Sequence, residues 1–232
     1  MFNEHSGMVN PPMRILVTAF GPFDGRATNA SSLAITGLSQ TFPWIRTRIL
    51  PVDSVLGPAR MKRAIREVRP DVVLMLGEAA GSKTIRLERT AHNALDFAIP
   101  DNAGRQPRNL PVIPSADDTL HSTLPLEPLL AALEEAGHAA TISDNAGRYL
   151  CNQVMFLTLH QLGKTAPQCV AGFIHLPFAG DYPTAKTIDA LGVVILLLAG
   201  KPHQLNPTAK CHIGFESMLS GFSRGKPQSR RP

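Results

Sequence analysis

The sequence predicts an α/β protein, a single-domain three-layer α/β/α sandwich around a largely parallel, mixed and twisted sheet. Three observations predict it. The runs Arg14–Phe20, Asp71–Gly77 and Val170–His175 are short, nearly continuous and apolar, as strands covered on both faces are. Amphipathic stretches of helical length separate them, and strands alternating with helices build a parallel sheet between helical layers. The chain of 232 residues is long enough to bury one large core without disulfides or metals.

The elements follow in order. Residues 1–12 read as a loose leader containing Pro11-Pro12. After the first strand, Gly21 to Gly25 is rich in turn formers. Asn29 or Ser31 then caps a helix running to about Ser39. Arg46–Leu50 reads as a strand and Ser54–Val68 as a helix stopped by Pro70. Gly77 to Ser82 reads as a flexible loop after the Asp71–Gly77 strand. Thr84–Asn93 alternates as one strand, with Ile85, Leu87 and Arg89 on one face and Arg86, Glu88 and Thr90 on the other. Pro100–Gly104 is a turn, and residues 105–125 are proline-rich and irregular. Leu126–Ala136 is an amphipathic helix stopped by Gly137, and Ala139–Ser143 is a short strand. Tyr149–Leu162 is a helix with Leu150, Val154, Leu157 and Leu162 on one face. Leu191–Ala199 fits a helix or a strand equally.

Charge and cysteine content narrow the function classes. The net charge is +5, yet residues 201–232 hold six basic residues against Glu216. The rest is balanced, with 17 basic and 17 acidic residues. The charge therefore marks a basic C-terminal extension, ordered or disordered, rather than a nucleic-acid-binding domain. Three cysteines argue against a disulfide framework and for a reducing, cytoplasmic location. No run approaches the roughly 18–20 apolar residues of a membrane span, and the N-terminus is not a secretory signal. No His or Cys pair has metal-ligand spacing, and no dinucleotide or phosphate loop is present, so neither metal nor cofactor is expected.

In a sheet of this class ligands bind beyond the C-terminal strand ends. Those ends are the loops after Phe20, Leu76 and Ser143, and the segment from His175. Cys151 sits in the first turn of a helix, where backbone N–H groups and the helix dipole favour a thiolate. A buried, inert thiol is the alternative reading. Cys169, before a strand, and Cys211, in the tail, have weaker claims. His175 closes a buried strand and suits a general base, and Glu88 is a candidate to orient it. Taken alone, Glu88 reads more readily as an exposed carboxylate paired with Arg86 or Arg89.

Four blocks carry a family resemblance. They are Leu16–Gly25 with Asn29; Gly77–Gly81 continuing through Glu88-Arg89 and Asn93 to Ile99–Pro107; Asn145–Asn152; and Gly172–Pro177. In this order and spacing, over about residues 13–180, the chain resembles the pyrrolidone-carboxylate peptidase (type I pyroglutamyl peptidase) family. The resemblance implies a pyroglutamyl-peptidase-like domain over residues 13–200. It also implies a cysteine exopeptidase that hydrolyses the amide bond after an N-terminal pyroglutamyl residue by way of an acyl-enzyme. Carried over by position, the nucleophile is Cys151, the base His175 and the orienting carboxylate Glu88. Phe20 and Phe23 would sandwich the lactam ring, with Ile99, Tyr149 and Leu150 completing an apolar pocket and Asn29 contacting substrate main chain. The resemblance further implies pyroglutamylated peptides as partners and a homodimer or homotetramer.

The chain departs from the family pattern at several places. Glu78 stands at the pocket where many members have Gln or Leu, and Ala98 where many bacterial members have Arg. The residues beyond 180 match poorly, and the family's closing helix is hard to place. An alternative reading is a catalytically weak or inactive homologue that binds lactam-capped peptides or a protein partner.

Overall fold

The computed structural model describes residues 13–200. The expectations of an N-terminal leader over 1–12 and a basic extension over 201–232, Cys211 included, lie outside the described residues. In chain order the elements are β1 (Ile15–Phe20), α1 (Ala30–Thr41), β2 (Arg46–Leu50), α2 (Leu56–Val68), β3 (Val72–Ala79), β4 (Ile85–Glu88), β5 (Thr90–His92) and β6 (Thr119–His121). They continue as α3 (Leu126–Glu135), β7 (Ala140–Ser143), α4 (Leu150–Thr165), β8 (Val170–Pro177) and α5 (Thr184–Leu198).

Six strands form the main sheet in the order β2-β1-β3-β8-β4-β7. The β2, β1, β3 and β8 strands are parallel, β4 is antiparallel to β8, and β7 is parallel to β4. The mixed sheet is as the sequence predicted. Successive residues alternate between two covered faces. Ile15, Val17, Val72, Leu74, Ile174 and Leu176 bury one face with residues of α1, α3 and α5. Leu16, Val73, Met75, Ala171 and Phe173 bury the other with residues of α2 and α4. Phe97, Phe156 and Phe173 are fully buried on that second face, and each such side chain contributes roughly 1.5–3 kcal/mol. By the same alternation His175 shares the α4 face with Phe173.

Local signals set most helix ends. Asn29 caps α1, its side chain accepting from Ser31 N at 2.9 Å. The helix expected from Ser54 starts at Leu56, because Asp53 Oδ1 accepts from both Val55 N and Leu56 N at 2.8 Å. Arg69 ends it in the left-handed region, at φ 48°, just before Pro70. No helix among the described residues is long and apolar enough to cross a membrane.

Several expectations need correction. The loop predicted from Gly77 is strand as far as Ala79, because β8 continues to Pro177 and pairs with Glu78 and Ala79. His175 therefore lies inside a strand, not at its end. The single strand predicted over Thr84–Asn93 is two. At Arg89 the chain leaves the main sheet, with Arg89 N bonded to Ser143 O and Ser122 N to Arg89 O, and β5 pairs with β6. Leu157 is half-exposed, while Met155, Phe156 and Leu159 bury more of α4 than one stripe would. The ambiguous segment Leu191–Ala199 is helical through Leu198, as the end of α5, which packs on α1 and α3.

Candidate active site

A pocket of about 130 Å³ opens beside the ends of β1 and β3. Phe20, Phe23, Asn29, Val52, Glu78, Ala146, Tyr149, Leu150, Cys151 and His175 line it. Pockets for drug-sized ligands run to roughly 300–1,000 Å³, so this one suits a small ring. A larger groove of about 1,090 Å³ lies between α2 and α4, but it contains none of the catalytic or substrate-binding candidates read from sequence. The small pocket is the better candidate, because a thiol, an imidazole and apolar walls converge there.

The placement of Cys151 follows from how α4 begins. Tyr149 is the N-cap and makes no side-chain capping bond, so no cap side chain takes up the first-turn N–H groups. Asn152, fully buried, fixes that turn. Its Oδ1 accepts from His92 N at 2.7 Å, and its Nδ2 donates to His92 O at 2.8 Å and Ala94 O at 2.9 Å. Gln153 Nε2 adds a bond to Ser54 O at 3.0 Å. Across from α4, Gly77 leaves the necessary space: a Cβ there would stand 2.9 Å from Cys151 Sγ and 2.7 Å from Phe173 Cζ. Cys151 is half-buried. Cys169, by contrast, is buried at the foot of β8, and burial followed by the Asp71 charge pushes its thiol up to about 11.

His175 and Glu88 meet across the antiparallel pair. Arg86 lies opposite His175 and Glu88 opposite Phe173, so all four side chains share one face. Glu88 reaches diagonally, and its Oε1 lies 2.8 Å from His175 Nδ1. Glu88 is 0% exposed, not the surface carboxylate that its place on an alternating strand allowed. With Nδ1 facing the carboxylate, Nε2 is left for the thiol. Burial pulls the imidazole pKa down, but the Cys151 thiolate and Glu88 outweigh it and push His175 up to about 9. The imidazole lies between the sulfur of Cys151 and the carboxylate of Glu88.

The remaining predicted residues divide. Phe20 and Phe23 line the pocket, and the Phe23 ring sits 6.3 Å from that of Tyr149. Tyr149 also packs on Phe97 at 4.4 Å and donates its hydroxyl to Pro100 O at 3.1 Å. Asn29 is buried, and its Oδ1 is committed to Ser31 N and Oγ, which leaves Nδ2 as the group that could meet a ligand. Glu78 is tied up by Arg26 at 2.5 Å and by Ala30 N at 2.8 Å, a partnership the sequence did not announce. Ile99 does not line the pocket. It is 37% exposed, in a segment held by Tyr149 at Pro100 and by Ser54 at Asp101. Val52 lies outside the four blocks, and Gly77, Ala146 and Asn152 lie within them with no role read from sequence, since their roles depend on distant partners.

Comparison with known proteins agrees with this architecture. A family model described as "Pyroglutamyl peptidase" matches residues 13–194. Pyrrolidone-carboxylate peptidase from Pyrococcus furiosus is 36% identical over 185 residues, covering 78% of this chain and 86% of the relative. The Clavibacter michiganensis protein of that name is 38% identical over 170 residues, covering 72% and 79%. Pyrrolidone carboxyl peptidase from Thermococcus litoralis superposes with a TM-score of 0.73 at 31% identity, covering 79% of this chain and 91% of that one.

Proposed function

Because the chain belongs to the pyroglutamyl peptidase family, a family of cysteine peptidases, we propose that it removes N-terminal pyroglutamyl residues through a Cys151–His175–Glu88 triad. The observation that carries the reading is the buried 2.8 Å contact between Glu88 and His175, on a strand face that also meets Cys151. The proposed catalytic unit is residues 13–200. A thiol nucleophile suits a reducing, cytoplasmic location.

The pyroglutamyl ring is small, flat, neutral and without a free amine. Aromatic walls at Phe20, Phe23 and Tyr149 bind such a ring without a charged anchor. The Cys151 thiolate adds to the carbonyl carbon after the lactam, and the oxyanion meets first-turn N–H groups of α4. His175 Nε2 gives its proton to the departing amine as the C–N bond breaks, leaving a thioester on Cys151. Water attacks the thioester and loses a proton to His175. Free pyroglutamate leaves, and thiolate and imidazolium are restored. Glu88 keeps the imidazole oriented with Nε2 toward sulfur throughout.

The test is hydrolysis of a fluorogenic L-pyroglutamyl amide by the wild type, Cys151→Ala and Cys169→Ala. Turnover lost in Cys151→Ala and kept in Cys169→Ala is expected. A folded wild type without turnover, or an active Cys151→Ala, refutes the reading and favours the idle homologue.

A further inference from the structure

Glu88 carries a second partner that the triad does not account for. Arg86, two residues earlier on β4, places Nε 3.2 Å from Glu88 Oε1, the same oxygen that faces His175 Nδ1. Its Nη2 donates to Ser143 Oγ at 2.7 Å and to Asn145 O at 2.6 Å. The guanidinium thus joins the buried carboxylate to the start of the loop that leads into α4 and Cys151.

We propose that Arg86 is a positioning residue for the reaction, holding the Glu88 carboxylate against His175 and fastening the 143–145 loop that delivers Cys151. The proposal rests on the triad reading above. Glu88 is 0% exposed and its Oε2 has no hydrogen-bond partner, so the carboxylate is held by its contacts at Oε1. Without Arg86, His175 Nδ1 would be the one remaining polar side-chain contact of Glu88 among the described residues. An arginine does not surrender its proton, so Arg86 sets a fixed positive charge beside the Glu88 oxygen that faces His175. Thiolate and carboxylate are then balanced by imidazolium and guanidinium.

The other charged groups nearby have their own partners. Glu78 on β3 is taken by Arg26. Asp144, after β7, is held by Arg89 at 3.3 Å and by Thr90 at 3.2 Å. Arg89 also reaches Glu127 of α3 at 3.6 Å. The groups facing Glu88 are therefore His175 from β8, Arg86 from β4 and, through His175, Cys151 from α4.

The experiment compares Arg86→Gln and Arg86→Lys with the wild type, using two readouts over a range of pH. One is kcat and KM on the fluorogenic pyroglutamyl amide. The other is the rate of Cys151 alkylation by iodoacetamide, which needs no turnover. We expect Arg86→Gln to lower kcat by about tenfold to a hundredfold with KM unchanged. The acid limb of both profiles should move to higher pH, because the thiolate loses the imidazolium that supports it. Arg86→Lys keeps a charge but not the three-acceptor fork, so its acid limb should lie between the other two. Free guanidinium at millimolar concentration should restore part of the rate to Arg86→Ala. An acid limb that stays in place overturns the proposal, whether or not kcat falls, since a plain loop tie would leave it unmoved. If Arg86→Gln fails to fold, the Arg86→Lys profile decides alone. A wild type without turnover refutes the triad reading, while the alkylation limb still reads the effect of Arg86.

Discussion

Replacing Gly77 by alanine adds one methyl group where β3 meets Phe173 of β8 and Cys151 of α4. The new Cβ would lie 2.7 Å from Phe173 Cζ and 2.9 Å from Cys151 Sγ. Ordinary contact begins near 3.4 Å, so the ring must retreat by about 0.7 Å and the sulfur by about 0.5 Å. Phe173 is 0% exposed and has little room to yield. Overpacking of a close-packed core costs about 1–3 kcal/mol. If sulfur moves instead of the ring, the loss appears in catalysis, where a 1 Å misplacement costs up to about a hundredfold. Gly163→Ala is the matched control. Gly163 is exposed near the end of α4 and a Cβ there meets nothing within 4 Å, so alanine should be neutral or stabilise by about 0.5–1 kcal/mol. Urea unfolding and kcat/KM on the pyroglutamyl amide, measured on both variants, give the answer. A Gly77→Ala protein with wild-type unfolding midpoint and wild-type turnover would refute the close-approach argument.

Three other outcomes are expected. Cys151→Ala should lower the His175 pKa from about 9, because burial pulls it down and the thiolate is the largest effect raising it; an NMR titration that stays at about 9 counts against this. In the wild type the stabilisation from that bound proton is complete below the unfolded value of about 6.5 and fades as pH rises through about 9. Asn152→Ala removes three hydrogen bonds from a buried site and strands backbone groups of His92 and Ala94, at a cost of about 1–3 kcal/mol; an unchanged urea midpoint would contradict it. Arg26→Met leaves the Glu78 carboxylate, whose side chain is 1% exposed, with only Ala30 N. A loss of about 1–3 kcal/mol and weaker substrate binding should follow, since Arg26 also lies 5.8 Å from the Phe23 ring; equal stability would show the pair to be idle.

Much of the fold was legible in the sequence, and for identifiable reasons. The apolar runs at β1, β3 and β8 announce strands covered on both faces, because hydrophobic burial acts through local composition. Asn29, Pro70 and Gly137 mark helix ends through bonds and dihedrals that lie within a few residues. The same locality explains why Cys151 stands out: being in the first turn of a helix is a property of the neighbouring chain. His175 was singled out with less accuracy, as the end of a strand that in fact continues to Pro177.

What the tertiary structure decided depends on partners far along the chain. Whether Glu88 is exposed or buried is not written in the alternation of Thr84–Asn93, since it depends on β8, 87 positions away at His175, pairing beside it. The break at Arg89 comes from Ser122 and Ser143, which pull the strand toward two different sheets. Glu78 is a lone acid in the sequence and becomes half of an ion pair only when the loop carrying Arg26 folds over β3. Ile99 belongs to a motif but does not line the pocket, in a segment whose neighbours Tyr149 and Ser54 hold. Local propensity and burial period are short-range and can be read along a chain. Charge pairing and the space around a sulfur atom exist only once distant segments meet.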